Sequence, residues 1–181
     1  MLEIENSSAL KVAFVLFLVL LVLERVTNTF NDRNQPKRTR KVFHKGFFYA
    51  LLGSYLTIIS ISVFSFVTSE RISVLISWLG AAVLLMGIIC RRSAIASLNG
   101  YWSIFIEIKE NQQIVRNGIY RYFKHPYYTA VVLELIGFSL ICNSYWGLIL
   151  TATVQVPLLL IRVHYENRVL EVYGRRLGFN Q

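Results

Sequence analysis

Five long apolar runs constrain this 181-residue chain most strongly, since roughly 17–25 apolar residues let a helix cross a bilayer. The runs cover about residues 9–26, 46–67, 72–90, 128–143 and 146–163. The chain is 55% hydrophobic and only 16% charged, so it has more apolar surface than a soluble domain of this length can bury. We therefore predict an all-α integral membrane protein with about five transmembrane helices, forming a single polytopic domain over residues 1–181.

The first run is the weakest span, because Lys11 and the pair Glu24–Arg25 shorten its apolar centre. We interpret it as a retained span and not as a signal peptide. The leader MLEIENSS is acidic where a signal peptide has a basic region.

The basic residues predict the orientation of the chain in the membrane. Lys and Arg gather in three connecting segments, at residues 33–45, 91–124 and 168–176. Five crossings place all three segments on one face and leave only Lys11 and Arg71 on the other. Because basic residues favour the cytoplasmic side, we predict an external N-terminus and a cytoplasmic C-terminus. The membrane would be the endoplasmic reticulum in a eukaryote or the inner membrane in a bacterium. The same distribution argues against a nucleic-acid surface, despite the net charge of +9.

Two segments on the cytoplasmic side, residues 91–127 and 162–181, are predicted to carry the chemistry. The connections at 68–71 and 143–145 are too short for anything but tight hairpins. Within the long connection, SIFIEIK alternates apolar and polar residues, which predicts a short extended segment.

Several common site motifs do not occur in the sequence. The glycines fall in neither GxGxxG nor GxxxxGK[ST] spacing, and neither GxSxG nor HExxH is present. Cys90 and Cys142 have no CxxC spacing, so we interpret both as packing residues. The three histidines are scattered, so no metal site is expected.

The run QQIVRNGIYRYFKHPYY, residues 112–128, combines features of a binding loop. Gly118 suits a sharp turn, and His125–Pro126 suits the start of a helix, because proline is tolerated in the first turn. Such a helix directs backbone N–H groups at the membrane surface, where an anionic group can bind. The alternative is an interfacial belt of aromatic and basic side chains, formed by Tyr120, Arg121, Tyr122, Lys124, Tyr127 and Tyr128.

Three further charged residues lie at or inside the predicted spans. Arg162 and Glu166 are four residues apart, so they share one helical face and can pair, either functionally or as a weak surface ion pair. Gln155 and Pro157, just before them, can bend the helix. Glu134 lies about two turns inside the fourth span, where an acid faces either the bundle interior or a cavity. It is interpreted equally well as a functional or as a structural residue.

With both motifs in place, the chain resembles the isoprenylcysteine carboxyl methyltransferase family over roughly residues 99–174. The family pattern LVxxGxYxxxRHPxY corresponds to Ile114–Tyr120 followed by Lys124–Tyr128. The pattern RxxxEExxL with a following FG corresponds to Arg162, Glu166, Leu170 and the pair Tyr173–Gly174. Lys124 and Asn167 differ from the family residues, and one residue is missing before Tyr173–Gly174. Phospholipid N-methyltransferases share parts of this pattern.

The resemblance implies a membrane methyltransferase that uses S-adenosylmethionine, with a lipid-tailed acceptor reached from the bilayer. The implied cofactor contacts are Gln112, Gln113, Ile114, Val115, Tyr120, His125, Pro126, Tyr127, Tyr128 and Glu166. Arg162 matches the catalytic arginine that handles the acceptor, first of all the carboxylate of a prenylated cysteine. A carboxylate is already nucleophilic, so the reaction needs alignment and exclusion of water more than a base.

Two alternatives stay open at this point. One is a phospholipid or small-lipid N-methyltransferase, in which Glu134 is the counter-ion of an amine substrate. The other is a membrane scaffold that keeps the fold without turnover.

Overall fold

The structure, a computed structural model, describes residues 3–5, 7–9, 11–14, 16–18, 20–21, 39–43, 45–98, 106–109 and 118–176. Five helices follow the N-terminal helical residues: α1 (Lys45–Thr68), α2 (Val74–Ser97), α3 (Pro126–Ile141), α4 (Tyr145–Leu150) and α5 (Val156–Arg176). The described residues also include four short strands: β1 (Glu3–Glu5) and β2 (Thr39–Phe43) before α1, β3 (Arg71–Ser73) between α1 and α2, and β4 (Ile106–Lys109) between α2 and α3.

Among the residues that the structure describes, three helical stretches are long and apolar enough to cross a membrane: Gly46–Thr68, Val74–Ser97 and Tyr145–Val169. The helix α3 is apolar but shorter, with 16 residues. The predicted first span, 9–26, lies partly outside the described residues. A helical integral membrane protein is thus confirmed, whereas the count of five spans stays a prediction.

Two antiparallel ribbons lie at opposite ends of the α1–α2 hairpin. In the first, β1 pairs with β3, with Ile4 opposite Ile72. In the second, β2 pairs with β4, with Val42 opposite Glu107. The leader therefore lies beside the turn at 68–71, and the basic segment before α1 lies beside the long connection after α2. The alternating segment SIFIEIK was predicted to be extended, and its last four residues form the strand β4.

The helix α2 continues beyond the predicted end at residue 90 to Ser97. The predicted span ended at residue 90 because Arg91 and Arg92 follow it in the sequence. The first of these two charged residues is nevertheless buried in the protein. Arg91 is 3% exposed and donates from Nε to Glu134 Oε1 at 2.6 Å. Because the two charges are paired, Arg91 of α2 and Glu134 of α3 can both lie inside the bundle.

Small residues allow α2 and α3 to pack closely. The buried positions on α2 are spaced alternately by four and three residues, which is the spacing of a coiled-coil seam; they are Gly80, Leu84, Gly87, Arg91 and Ala94. A Cβ added at Gly87 would lie 2.9 Å from the backbone nitrogen of Glu134. Glycine thus lets the backbones approach where the ion pair forms.

We expect Gly80→Ala to lower the stability of the protein by about 2 kcal/mol, because overpacking a tight contact is costly. Its Cβ would lie 2.6 Å from the backbone nitrogen of Ile141, which cannot swing aside as a side chain can. The matched control is Gly53→Ala, where a Cβ meets nothing within 4 Å. This control is expected to be neutral or stabilising by about 0.5–1 kcal/mol, since alanine favours the helix. Thermal unfolding in detergent measures both changes, and equal effects would contradict a close α2–α3 contact.

A π-turn, Thr151–Gln155, joins α4 to α5 directly before Pro157. Proline has no N–H to continue the helical hydrogen bonds, which explains an irregular turn at this place. The turn directs Gln155 into the bundle, where it is 1% exposed and accepts a hydrogen bond from Ser54 of α1 at 2.6 Å. The sequence predicted a bend at Gln155 and Pro157, and the structure has a π-turn there.

Candidate active site

The turn before α3 lies against the end of α2. Gly118 has a φ of +62°, a left-handed conformation that favours glycine. A Cβ at this position would also lie 2.6 Å from Ser97 Oγ. Gly118 therefore serves the sharp turn that the sequence predicted, and it starts the 3-10 helix Gly118–Arg121, which holds Tyr120.

The helix α3 begins as the HPYY sequence predicted, with Pro126 at its first position and His125 as the N-cap residue. The His125 side chain itself makes no capping hydrogen bond. The His125 ring stacks on the Tyr128 ring with 5.8 Å between ring centroids. The N-terminus of a helix, with Arg121 and Lys124 just before it, is a favourable place for a carboxylate ligand.

The hydroxyl of Tyr128 joins the two motifs that lie far apart in the sequence. It donates to Glu166 Oε2 at 2.5 Å and accepts a hydrogen bond from Arg162 Nε at 2.9 Å. The Arg162 side chain is largely enclosed, with 9% of the residue exposed. Arg162 and Glu166 thus both bond to Tyr128 of α3. A surface ion pair between residues i and i+4 would not involve a third residue on another helix.

Tyr120 also belongs to this cluster. Burial and, to a smaller extent, the negative charge of Glu166 with contributions from Cys90 and Tyr127 together raise the pKa of Tyr120 to about 12. Tyr120 therefore keeps its proton at physiological pH and can donate a hydrogen bond. Cys90 lies at the same level of the bundle, with Sγ 3.5 Å from the carbonyl oxygen of Pro126.

The structure separates the aromatic run into two groups. Tyr122 is 79% exposed and Phe123 is 50% exposed, as expected of an interfacial belt. Tyr127 and Tyr128 instead pack against the cluster formed by Leu51, Val131 and Leu159. The same segment therefore has exposed aromatic side chains of an interfacial belt and, directly after them, aromatic side chains of the candidate site. Of the remaining predicted cofactor contacts, Gln112, Gln113, Ile114 and Val115 lie outside the described residues.

Glu134 lies on α3 and contacts α2. It is 3% exposed and pairs with Arg91, which the sequence analysis had assigned to a loop. A signal for this partner was present, since an acid inside a span needs a cation and Arg91 directly follows the preceding apolar run.

The cluster has the donors and acceptors that a zwitterionic amino-acid ligand requires. The Glu166 carboxylate suits an ammonium or hydroxyl groups, the start of α3 suits a carboxylate, and Arg162 can hold a second anion. These residue types fit S-adenosylmethionine. Within the described ranges, no three His, Cys, Asp or Glu residues come together to bind a metal ion.

Comparison with known proteins gives one matching family and two bacterial relatives. The model of the isoprenylcysteine carboxyl methyltransferase family matches residues 78–172, more than half of the chain. The uncharacterized protein YpbQ of Bacillus subtilis is 32% identical over 98 residues, which are 54% of this chain and 58% of YpbQ. An uncharacterized protein of Haemophilus influenzae is 28% identical over 95 residues, 52% of this chain and 55% of its own length. The matched region thus spans little more than half of either relative.

Proposed function

Because the chain belongs to the isoprenylcysteine carboxyl methyltransferase family, we propose that it transfers a methyl group from S-adenosylmethionine to a lipid-tailed acceptor in the membrane. The acceptor group is a carboxylate, first of all that of a prenylated cysteine. The observation that carries this proposal is the Tyr128 hydroxyl between Glu166 and Arg162. It unites the cofactor residue and the acceptor residue that the family pattern implies.

When bound, S-adenosylmethionine supplies an electrophilic methyl group, and the acceptor oxygen needs no base because it is already an anion. The protein's part is to bind and align. Glu166 holds the ammonium or hydroxyl groups of the cofactor, and the N-terminus of α3 holds its carboxylate. Arg162 holds the acceptor carboxylate with its planar fork, and Tyr128 fixes the direction of that fork.

The ion pair between Arg91 and Glu134 supports a carboxylate acceptor over an amine. An amine acceptor would need Glu134 as its counter-ion, but that carboxylate already has a cationic partner in α2. Arg162 shares the Tyr128 hydroxyl with Glu166, and its positive charge suits an anionic acceptor.

A direct test incubates the purified protein with methyl-labelled S-adenosylmethionine and three kinds of acceptor: prenyl-cysteines, phospholipids and small lipid amines. Label in a base-labile ester of the prenyl-cysteine is the expected result. Label in an amine would favour the N-methyltransferase alternative. If no acceptor is labelled although the cofactor binds, the protein is a scaffold.

We propose the orientation that the basic segments predict, with the site on the cytoplasmic face. A reporter fused after Gln181 is expected to read as cytoplasmic, and one inserted in the 68–71 turn as external. The physical reason is the excess of Lys and Arg on one side. Reporters at both positions with the same reading would contradict the odd number of crossings, and exchanged readings would contradict the orientation.

A further inference from the structure

A short exposed link connects two parts of the candidate site. Tyr120 and His125 are half-buried, whereas the four residues between them are exposed. We call these four the RYFK link, and they are Arg121, Tyr122, Phe123 and Lys124. The link thus presents two cationic and two aromatic side chains, the residue classes that concentrate at a membrane surface.

The contacts that hold the RYFK link are at its two ends. The backbone N–H groups of Tyr122 and Phe123 both donate to the carbonyl oxygen of Ile119 at 3.1 Å. After the link, the N–H of Tyr128 donates to the carbonyl oxygen of His125 at 3.2 Å. Among the residues that the structure describes, no acid forms an ion pair with Arg121 or Lys124. Their charges are therefore available to a partner outside the protein.

The RYFK link lies at the depth where the surface of α2 changes from apolar to charged. Cys90 Sγ lies 3.5 Å from the carbonyl oxygen of Pro126, so the start of α3 is level with Cys90. On α2, the exposed residue before this level is Ile89 and the exposed residue after it is Arg92. A membrane helix changes in this way where it passes from the hydrocarbon to the headgroups. The link, which ends two residues before Pro126, therefore lies at headgroup depth.

The exposed charged side chains that the structure describes near this level are all cationic. Besides the two cations of the link, they are Arg92 of α2 and Arg168 of α5. The acids at this end are less exposed: Glu134 is buried with Arg91, and Glu166 is half-buried and bonded to Tyr128. A cationic surface at headgroup depth fits the phosphate groups of anionic lipids, and each Lys or Arg contributes about fivefold to such an association.

We propose that the RYFK link binds the anionic headgroups of the surrounding membrane, and that this attachment strengthens cofactor binding at the two ends of the link. The second part rests on the proposed function, which places S-adenosylmethionine at the start of α3. The basic side chains hold the phosphate groups, and the two rings fix the depth of the link. A link that the membrane already holds costs less conformational entropy when the cofactor binds, so the cofactor binds more tightly.

The test uses the full-length protein in nanodiscs of phosphatidylcholine, either alone or mixed with phosphatidylglycerol. Amide hydrogen exchange over residues 118–125 measures the attachment without any cofactor. Calorimetry with S-adenosylhomocysteine measures the coupling. We expect slower exchange in the anionic nanodiscs and an affinity about fivefold higher there, the lower end of usual coupling between two sites. Both effects should weaken at high salt, because ions screen surface charges. Soluble glycerol phosphate, added to phosphatidylcholine nanodiscs, should reproduce neither effect.

The double variant Arg121→Gln with Lys124→Gln is expected to bring the ratio of the two affinities close to one, whatever its affinity in phosphatidylcholine alone. Each single variant should lower the ratio. Arg168→Gln is the matched control, because it removes one exposed cation from the same end of the bundle but not from the link. It should keep the ratio of about fivefold.

Equal exchange in the two bilayers would overturn the headgroup site, and so would an equal effect of soluble glycerol phosphate. A ratio that Arg168→Gln lowers as much as Arg121→Gln does would also overturn it, since general surface charge would then be the cause. Slower exchange with equal affinities would overturn the coupling. Slower exchange without any binding of S-adenosylhomocysteine would overturn the proposed function and leave the headgroup site standing.

Discussion

Glu166→Ala is expected to weaken the binding of S-adenosylmethionine by about 100-fold, because it removes a charged hydrogen-bond acceptor from a partly buried cluster. The loss is direct if Glu166 holds the ammonium or the hydroxyl groups of the cofactor. It also leaves the Tyr128 hydroxyl without its acceptor. His125→Ala should weaken binding less, since the ring packs on Tyr128 and leaves the backbone of the helix start in place. Calorimetry with the purified protein measures both affinities.

Asn167→Ala is the control for this prediction, because the exposed neighbour of Glu166 lies on the same helix and outside the cluster. It should bind the cofactor like the wild type. A thermal unfolding curve for each variant separates loss of a ligand contact from loss of fold. Wild-type affinity in Glu166→Ala, with the fold intact, would remove Glu166 from the proposed cofactor site.

Arg162→Lys is expected to lower kcat/KM by about 100-fold while keeping most of the cofactor affinity. Lysine preserves the charge but has no planar two-donor fork, so the acceptor carboxylate is attracted but misaligned. The hydrogen bond from Arg162 Nε to Tyr128 has no equivalent in lysine either. Steady-state kinetics on one accepted substrate, with cofactor affinity measured in parallel, checks the prediction.

Glu134→Gln tests an amine acceptor poorly, because Glu134 forms an ion pair with Arg91. Neutralising Glu134 leaves Arg91 charged and buried, which is destabilising by about 3–5 kcal/mol on its own. The informative variant is therefore the double substitution Arg91→Met with Glu134→Leu, which removes both charges together. With a carboxylate acceptor, this protein should keep its kcat/KM within about threefold per folded molecule. A double variant that folds but is inactive, beside a mildly affected Arg162→Lys, would contradict the carboxylate assignment.

The long helices could be predicted from the sequence because the membrane imposes one strong rule. Apolar runs at 46–67 and 72–90 correspond to α1 and the first part of α2. The rule fails where two charges neutralise each other. Arg91 ended the predicted span because a hydropathy argument treats each residue alone, whereas the helix continues because Glu134, 43 residues away, pairs with it.

In the candidate site, too, the features set by the local sequence could be predicted, and the contacts between distant segments could not. Gly118 and Pro126 were predictable, because each constrains its own backbone. The link from Tyr128 to Arg162 and Glu166 was not, since no spacing within one helix determines which side chain of another helix will reach it. The pairing of β2 with β4 was hidden for the same reason: alternation predicts a strand but not its partner.

The Tyr128 hydroxyl has only one proton, and in this structure that proton points to Glu166. Under the proposed function, a cationic ligand at Glu166 competes with Tyr128 for the same carboxylate. If the ligand replaces Tyr128 at Glu166, the Tyr128 hydroxyl needs another hydrogen-bond acceptor. Arg162 cannot be that acceptor, because a guanidinium has only donors. An acceptor carboxylate held by Arg162 can take that proton as a hydrogen bond. Filling the cofactor position would thereby strengthen binding at the acceptor position, and a bound acceptor would strengthen binding of the cofactor by the same factor.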